Sequence, residues 1–258
     1  MPTTTTTRLS VTTEPPFARI TLAHPALNII DIPMMEELSR TLAELESRSD
    51  IATIIFEGRE NAFSAGVDIA AHTPDRIHEM LTKFHAVILA IVNSRKVTIA
   101  SVRGHCLGGG AELAMVCDLV YTTKHAIWGF PEIKLACYPP VATTALAALI
   151  GQRHAADLIL TGRTINGVEA AALGLVNRAL ADDELDASVE HTLDLLQSLS
   201  PAALAITKKA LYGWHAIHFD KGLARSEKIY FEDLAPTADM NEGIEAFLQK
   251  RSPKWSGK

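Results

Sequence analysis

The run IATIIFEG at residues 51–58 constrains the fold more than any other stretch of this chain. It is apolar over the length of a strand and ends in glycine, so a strand formed here is buried on both faces. Such a strand needs a layer above it and another below it, the arrangement of a parallel sheet with crossover helices. Its neighbours supply those layers. FARITL (17–22) is rich in strand formers and runs into a turn at His24-Pro25. DIPMMEELSRTLAELES (31–47) carries Asp31 and Pro33 as helix-start signals, and Met34, Leu38, Leu42 and Leu45 repeat at helical spacing. A polar loop, RENAFSAGVD (59–68), follows the buried run. Thr73-Pro74-Asp75 then opens a long helix with Ile77, Leu81, Phe84, Ile88 and Ile91 as its apolar stripe. VTIASVRGHC (97–106) reads as a strand entering a glycine turn and a helix, and DLVYTT (118–123) as a further strand. Strand, helix, strand, helix, strand predicts an α/β fold. No internal sequence repeat is visible.

The character changes at Ser198. PAALAITKKALYG (201–213), GLARSEKIYFEDLA (222–235) and MNEGIEAFLQKR (240–251) are three helical patterns with no strand among them. The expected organisation is a main core over 1–197 and a helical region over 198–258. A helical tail of this length buries too little surface to stand alone, so it should pack on the main core or on another subunit.

Composition excludes several functions. Among 258 residues the formal net charge is −6, leaving no basic surplus to neutralise phosphates, so no nucleic acid is expected as a partner. Ten histidines are scattered without an HExxH or Cys/His cluster, and no metal site is expected. Cys106, Cys117 and Cys137 form no CxxC pair and suit a reduced, cytoplasmic protein. No apolar run reaches the ~20 residues that span a bilayer. The opening MPTTTTTRLSVTTEPP lacks a secretory core, and residues 1–7 read as a frayed end.

Three stretches carry chemistry. In RGHCLGGGAELA (103–114), three glycines precede a helix whose first N–H groups have no intrahelical partner, a setting that stabilises an anion. Close packing of the helix start on a strand would explain the glycines equally well. NAFSAGVDIA (61–70) also follows a buried strand, and its small-residue turn can offer a second backbone donor. Asp68 there reads as a cap or loop hydrogen-bonding residue. In WGFPEIKLACYPPVA (128–142), Glu132 stands after a proline in an apolar setting. Glu112 taken alone is a first-turn carboxylate favoured by the helix dipole, and Glu132 taken alone is a surface residue at a strand end. With two glycine turns beside them, a paired-carboxylate site is the better reading.

AFSAGVD, GHCLGGGAELA and FPEIKL, in this order and spacing, resemble the crotonase (enoyl-CoA hydratase/isomerase) superfamily. The likeness extends to ALN (26–28), TGRTINGVEAAALGLVN (161–177) and EGIEAFLQKRSPKW (242–255), nearly the whole chain. It implies a crotonase-like spiral of ββα units with a C-terminal helical trimerisation region, assembled as a homotrimer or dimer of trimers. It also implies an acyl-CoA substrate and no separate cofactor, coenzyme A being part of the substrate. Carried over by position, the N–H groups of Val67 and Gly109 become an oxyanion hole for the thioester carbonyl. Ala26, Leu27, Ala65, Asp68, Ile69, Ala70, Gly108, Pro131, Tyr138 and Pro139 join them along the CoA thioester. Glu112 and Glu132 fall on the two glutamates of the hydratases, with Glu132 expected as the protonated donor and Glu112 as the holder of the attacking water. The resemblance thus implies a hydro-lyase acting on a conjugated enoyl- or dienoyl-CoA. Retention of both glutamates disfavours an isomerase or acyl-CoA hydrolase of the same superfamily, and the acidic balance disfavours a non-catalytic acyl-CoA- or RNA-binding relative. One departure stands out. Where many members carry a glycine-rich loop after the PEI segment, this chain has ACYPPVATT (136–144), whose Tyr138 and Pro139-Pro140 should reshape the acyl end of the pocket. Together with LNIIDIPMM and the tail, this loop points to a branch acting on a cyclic dienoyl-CoA.

Overall fold

The computed structural model describes residues 8–59 and 62–257. The expectation for residues 1–7 lies outside them. The chain opens with β1 (Leu9–Glu14) and β2 (Phe17–Leu22), then α1 (Ile32–Ser47), β3 (Thr53–Gly58), β4 (Ala62–Ser64) and α2 (Ile77–Val92). There follow β5 (Val97–Val102), β6 (His105–Leu107), α3 (Gly109–Met115), β7 (Leu119–Thr123), β8 (Ile127–Gly129), α4 (Pro140–Ile150) and α5 (Gln152–Thr161). The chain continues through β9 (Thr164–Asn166), α6 (Gly167–Leu173), β10 (Arg178–Leu180) and α7 (Leu185–Gln197), and closes with α8 (Pro201–Ile229) and α9 (Ala238–Leu248).

Two sheets share the strands. The larger runs β1-β2-β3-β5-β7-β10, antiparallel between β1 and β2 and parallel thereafter. The smaller runs β4-β6-β8-β9, parallel except at its β8-β9 edge. Three strands of the first sheet each lead into a short strand of the second and then into helix: β3-β4-α2, β5-β6-α3, β7-β8-α4. This is the spiral of ββα units. As expected for its apolar run, β3 is buried over Thr53–Phe56 and lies between β2 and β5. Asp31 caps α1, its carboxylate accepting from the Met34 N–H at 3.0 Å, and Met34, Leu38, Leu42 and Leu45 all face the core.

Several readings of the sequence need correction. A first strand, β1, precedes FARITL; its polar SVTTE segment is exposed on the sheet edge, so no apolar alternation advertises it. The single strand read over 97–106 is two strands broken at Arg103-Gly104, where the chain crosses between sheets. The loop over 59–68 contains β4, and Ile69–Ala71 forms a 3₁₀ turn. Helix α2 begins at Ile77, with Thr73–Arg76 forming a turn that leads into it.

Two of the helical patterns after Ser198 are one continuous helix, α8, and among the described residues no strand follows it. The end of α8 widens into a π-helical turn over Tyr230–Leu234, where the Ala235 N–H bonds the Tyr230 carbonyl at 2.8 Å. The tail packs back on its own chain. Lys208, buried on α8, pairs with Asp118 at 2.7 Å and donates to the Lys96 carbonyl at 2.7 Å. Asp118 also accepts from the Thr98 N–H at 2.7 Å, so the pair ties α8 to the start of β5.

Candidate active site

The three ββα units deliver their second-strand ends to one cavity of about 440 Å³. The turn after β4 contributes Ala65, Val67 and Ile69, and the start of α3 contributes Gly108, Gly109 and Glu112. A 3₁₀ turn over Pro131–Leu135, which follows β8, contributes Pro131 and Glu132, with Tyr138 and Pro139 beyond it.

The first two turns touch. A Cβ placed on Gly109 would lie 2.5 Å from Val67 Cγ2 and 3.4 Å from the Val67 nitrogen. Gly109 is the first residue of α3, so its N–H has no acceptor within the helix. Val67 is bridged to Ile30 in parallel, a pairing that uses the Gly66 carbonyl and the Asp68 N–H on either side. That alternation leaves the Val67 N–H directed away from Ile30. Two backbone donors from separate turns therefore stand side by side at the cavity.

The glycine triplet serves more than the helix start. Gly108 has φ of 51°, and a Cβ there would sit 2.5 Å from Glu132 Oε1. At Gly110 a Cβ would sit 2.6 Å from the Ser64 carbonyl oxygen. The first glycine makes room for a carboxylate and the third for the neighbouring turn, so close packing and site geometry are one requirement.

Glu112 lies in the first turn of α3, yet its carboxylate serves a different helix. Its Oε1 accepts the N–H groups of Val141 at 2.8 Å and Ala142 at 2.9 Å, the second and third residues of α4. Pro140 occupies the first position of that helix, where a missing N–H costs nothing and a fixed φ starts the turn. Tyr138, Pro139 and Pro140 all line the cavity, so the proline loop does form its wall.

Glu132 has the opposite environment. Its Oε2 is buried and makes no hydrogen bond to another protein group. Burial raises the pKa of both carboxyls. The two backbone N–H groups oppose that rise at Glu112, whereas the charge of Glu112 adds to it at Glu132. Of the two, Glu132 therefore keeps its proton to the higher pH.

Other expected residues sit at the margin. Asp68 turns back to cap its own 3₁₀ turn, accepting from the Ala70 N–H at 3.0 Å. Ala26, Leu27 and Ala70 are exposed outside the cavity wall, with the Leu27 carbonyl accepting from the Ala65 N–H at 2.9 Å. Sequence reasoning missed His72, whose Nδ1 donates to the Asp68 carbonyl at 3.1 Å and whose burial lowers its pKa, keeping the ring neutral. It also missed the far wall, built by Tyr230, Gly243 and Phe247 from the C-terminal helices and by Arg251 just beyond α9. There the Tyr138 hydroxyl donates to the Ser226 carbonyl at 2.6 Å, and its ring meets that of Tyr230 edge-on at 5.1 Å. Gly243, Phe247 and Arg251 lie in the EGIEAFLQKRSPKW stretch, but nothing in it marked them as cavity lining. Among the described residues no cluster of His, Cys, Asp or Glu could hold a metal ion, and no helix is long and apolar enough to cross a membrane.

Comparison with known proteins agrees with this fold. The profile of the enoyl-CoA hydratase/isomerase family matches residues 13–258. A probable enoyl-CoA hydratase of Mycobacterium bovis is 36% identical over 240 residues, covering 92% of this chain and 93% of the relative. The cyclohexa-1,5-dienecarbonyl-CoA hydratase of Thauera aromatica is 31% identical over 240 residues, covering 93% of each. Among solved structures, an enoyl-CoA hydratase/isomerase from Xanthobacter autotrophicus superposes with a TM-score of 0.87 at 29% identity, covering 95% of this chain and 94% of that one. An enoyl-CoA hydratase from Mycobacterium avium subsp. paratuberculosis gives 0.88 at 25% identity, covering 97% and 99%. With its ββα spiral, paired backbone donors and buried carboxyls, the chain belongs to the enoyl-CoA hydratase/isomerase family.

Proposed function

We propose that the protein is a hydro-lyase adding water across the α,β double bond of an acyl-CoA thioester, with coenzyme A as part of the substrate and no separate cofactor. The observation that carries this reading is the asymmetric carboxyl pair: Glu112 held by two N–H groups of α4, Glu132 buried with a free oxygen. The N–H groups of Val67 and Gly109 would receive the thioester oxygen, where charge builds as the enolate forms; losing one such donor typically costs about 3 kcal/mol. Glu112, ionised, takes a proton from water as the water oxygen bonds the β-carbon, and Glu132 gives its proton to the α-carbon. One proton is taken and one given, so only a transfer between the two carboxyls resets the site. The turn over Val67–Ala70, with Ala26 and Leu27, would border the path of the CoA moiety.

The finer proposal is a cyclic dienoyl-CoA substrate. It is supported by the likeness to the Thauera aromatica protein and by the rigid Tyr138-Pro139-Pro140 wall. Division into a catalytic core over 1–197 and a helical region over 198–258 that joins subunits as a trimer or dimer of trimers is likewise proposed, as is a cytoplasmic location. Exposed Leu199, Ile206 and Leu211 on and before α8 support the assembly, which light scattering would measure. The deciding experiment follows loss of conjugated absorbance with a panel of enoyl- and dienoyl-CoA thioesters. Preference for cyclohexa-1,5-diene-1-carbonyl-CoA over crotonyl-CoA is expected. Clear preference for the short linear substrate sinks the cyclic assignment, and turnover of none sinks the hydratase reading.

A further inference from the structure

The wall facing the carboxyls holds a polar group that the reaction as derived leaves idle. Tyr230 is 1% exposed, lines the cavity, and its hydroxyl makes no hydrogen bond to another protein oxygen or nitrogen. A buried hydroxyl without a partner is destabilising, and phenylalanine would fill the same volume without that cost. The polar groups around it are the Cys137 thiol, whose sulfur is its one hydrogen-bonding neighbour, and the Glu132 carboxyl. The thiol proton is already directed to the Leu135 carbonyl at 3.5 Å, which leaves only a weak sulfur acceptor. Packing fixes the ring, since the Tyr138 ring meets it edge-on at an interplanar angle of 63° and Tyr138 is itself tied to Ser226.

The backbone supplies a second, independent observation. Tyr230 is the first residue of the π-helical turn Tyr230–Leu234. Such single-turn departures from α geometry are rare and concentrate where a side chain must be aimed at a site. Here the extra residue in the turn accompanies the one helix position whose side chain presents an unpaired hydroxyl to the cavity.

Two buried oxygens thus stand unbonded in the same cavity, Glu132 Oε2 and the Tyr230 hydroxyl. With the thioester oxygen assigned to Val67 and Gly109, the group left for them is one that accepts from a phenol and, once Glu132 has given its proton to the α-carbon, donates to that carboxylate. The hydroxyl formed by hydration does both. We infer that Tyr230 is a further substrate-contacting residue, whose hydroxyl donates a hydrogen bond to the oxygen that hydration places on the acyl group. This rests on the hydratase reading above for the origin of that oxygen, but its test does not require turnover.

The test compares wild type with Tyr230→Phe by calorimetric titration of two thioesters of equal length, 3-hydroxybutyryl-CoA and butyryl-CoA. Wild type should bind the hydroxylated ligand more tightly. The variant should lose about tenfold in affinity for it, one hydrogen bond's worth, and stay within about twofold for butyryl-CoA. Its Tm without ligand should be nearly unchanged or higher, because only a weak contact to sulfur is lost. Equal weakening of both ligands, weakening of neither, no discrimination by wild type, or a Tm lowered by several degrees each overturns the inference. Failure of wild type to hydrate any thioester of the panel counts against the hydratase reading, while the binding comparison still decides the role of Tyr230.

Discussion

The two walls of the cavity are built on different terms. One is made of strand ends, helix starts and two carboxyls: Val67, Gly109, Glu112 and Glu132 are set by backbone close enough that a single methyl group on Gly108 would strike Glu132. The other is made of side chains from the C-terminal helices and the loop before α4, with aromatic rings meeting edge to edge at Tyr138 and Tyr230. In the function proposed above, the first wall fixes polar atoms where charge develops, and the second fixes the volume and the polarity that the acyl group meets. Chemistry and selectivity would then be held by separate parts of the chain, and they should fail separately.

The sharpest way to break the comparison is Glu132→Gln. On the chemical wall it removes the proton donor without changing shape, so kcat should fall by about 10²–10⁴ while KM moves little. A steady-state assay checks it; a loss confined to KM would place Glu132 with the selective wall instead. Next in size is Gly108→Ala, which imposes a strained φ and drives a methyl group onto Glu132 Oε1. Activity should drop by roughly 10²-fold, about the cost of one misplaced catalytic group, with circular dichroism showing the fold retained.

A third prediction uses pH. The folded-state pKa of both carboxyls lies above the ordinary 4.5. The folded protein therefore keeps protons that the unfolded chain has released, and stability falls as pH rises from about 4.5 until the folded values are passed. Glu132→Gln removes its share of that loss. The variant should melt above wild type by a margin that widens through this window and is then constant, at about 2–4 °C for each kcal/mol. Activity should decline at high pH as Glu132 loses its proton and at low pH as Glu112 gains one. The smallest effect belongs to the selective wall. Tyr138→Phe removes the bond to the Ser226 carbonyl, worth about 1 kcal/mol. It should shift the ratio of cyclic to linear substrate by several-fold with kcat on the better substrate nearly unchanged.

The same division governs what could be read without coordinates. The chemical wall was legible because its residues stand in short local motifs whose glycines and glutamates have few other uses. Even there the partners of Glu112 were hidden. Val141 and Ala142 contribute only N–H groups, which almost any residue supplies, and they lie 29 and 30 positions away. The ββα repeat was invisible because β4, β6 and β8 have three residues each, too short to show a period. Tyr230 stood within the tail likeness but gave no signal of a role, since a tyrosine on an apolar helical stripe is ordinarily a packing residue. Its significance comes from the burial of an unpaired oxygen, a property of the assembled wall.

The π-helical turn at the end of α8 has a consequence for how such a protein could change. It holds one residue more than an α-helical turn would, so loss of a single residue between Tyr230 and Leu234 would restore the regular ladder. Because a π turn absorbs its extra residue within one turn, closing it to an α turn leaves the phase on either side nearly unchanged. The deletion would remodel the wall around Tyr230 while Gly243 and Phe247 on α9 and both carboxyls stayed in place. Whole-codon deletion in this one turn is thus a short mutational route by which a lineage could reshape one patch of the acyl wall and inherit the rest of the site intact.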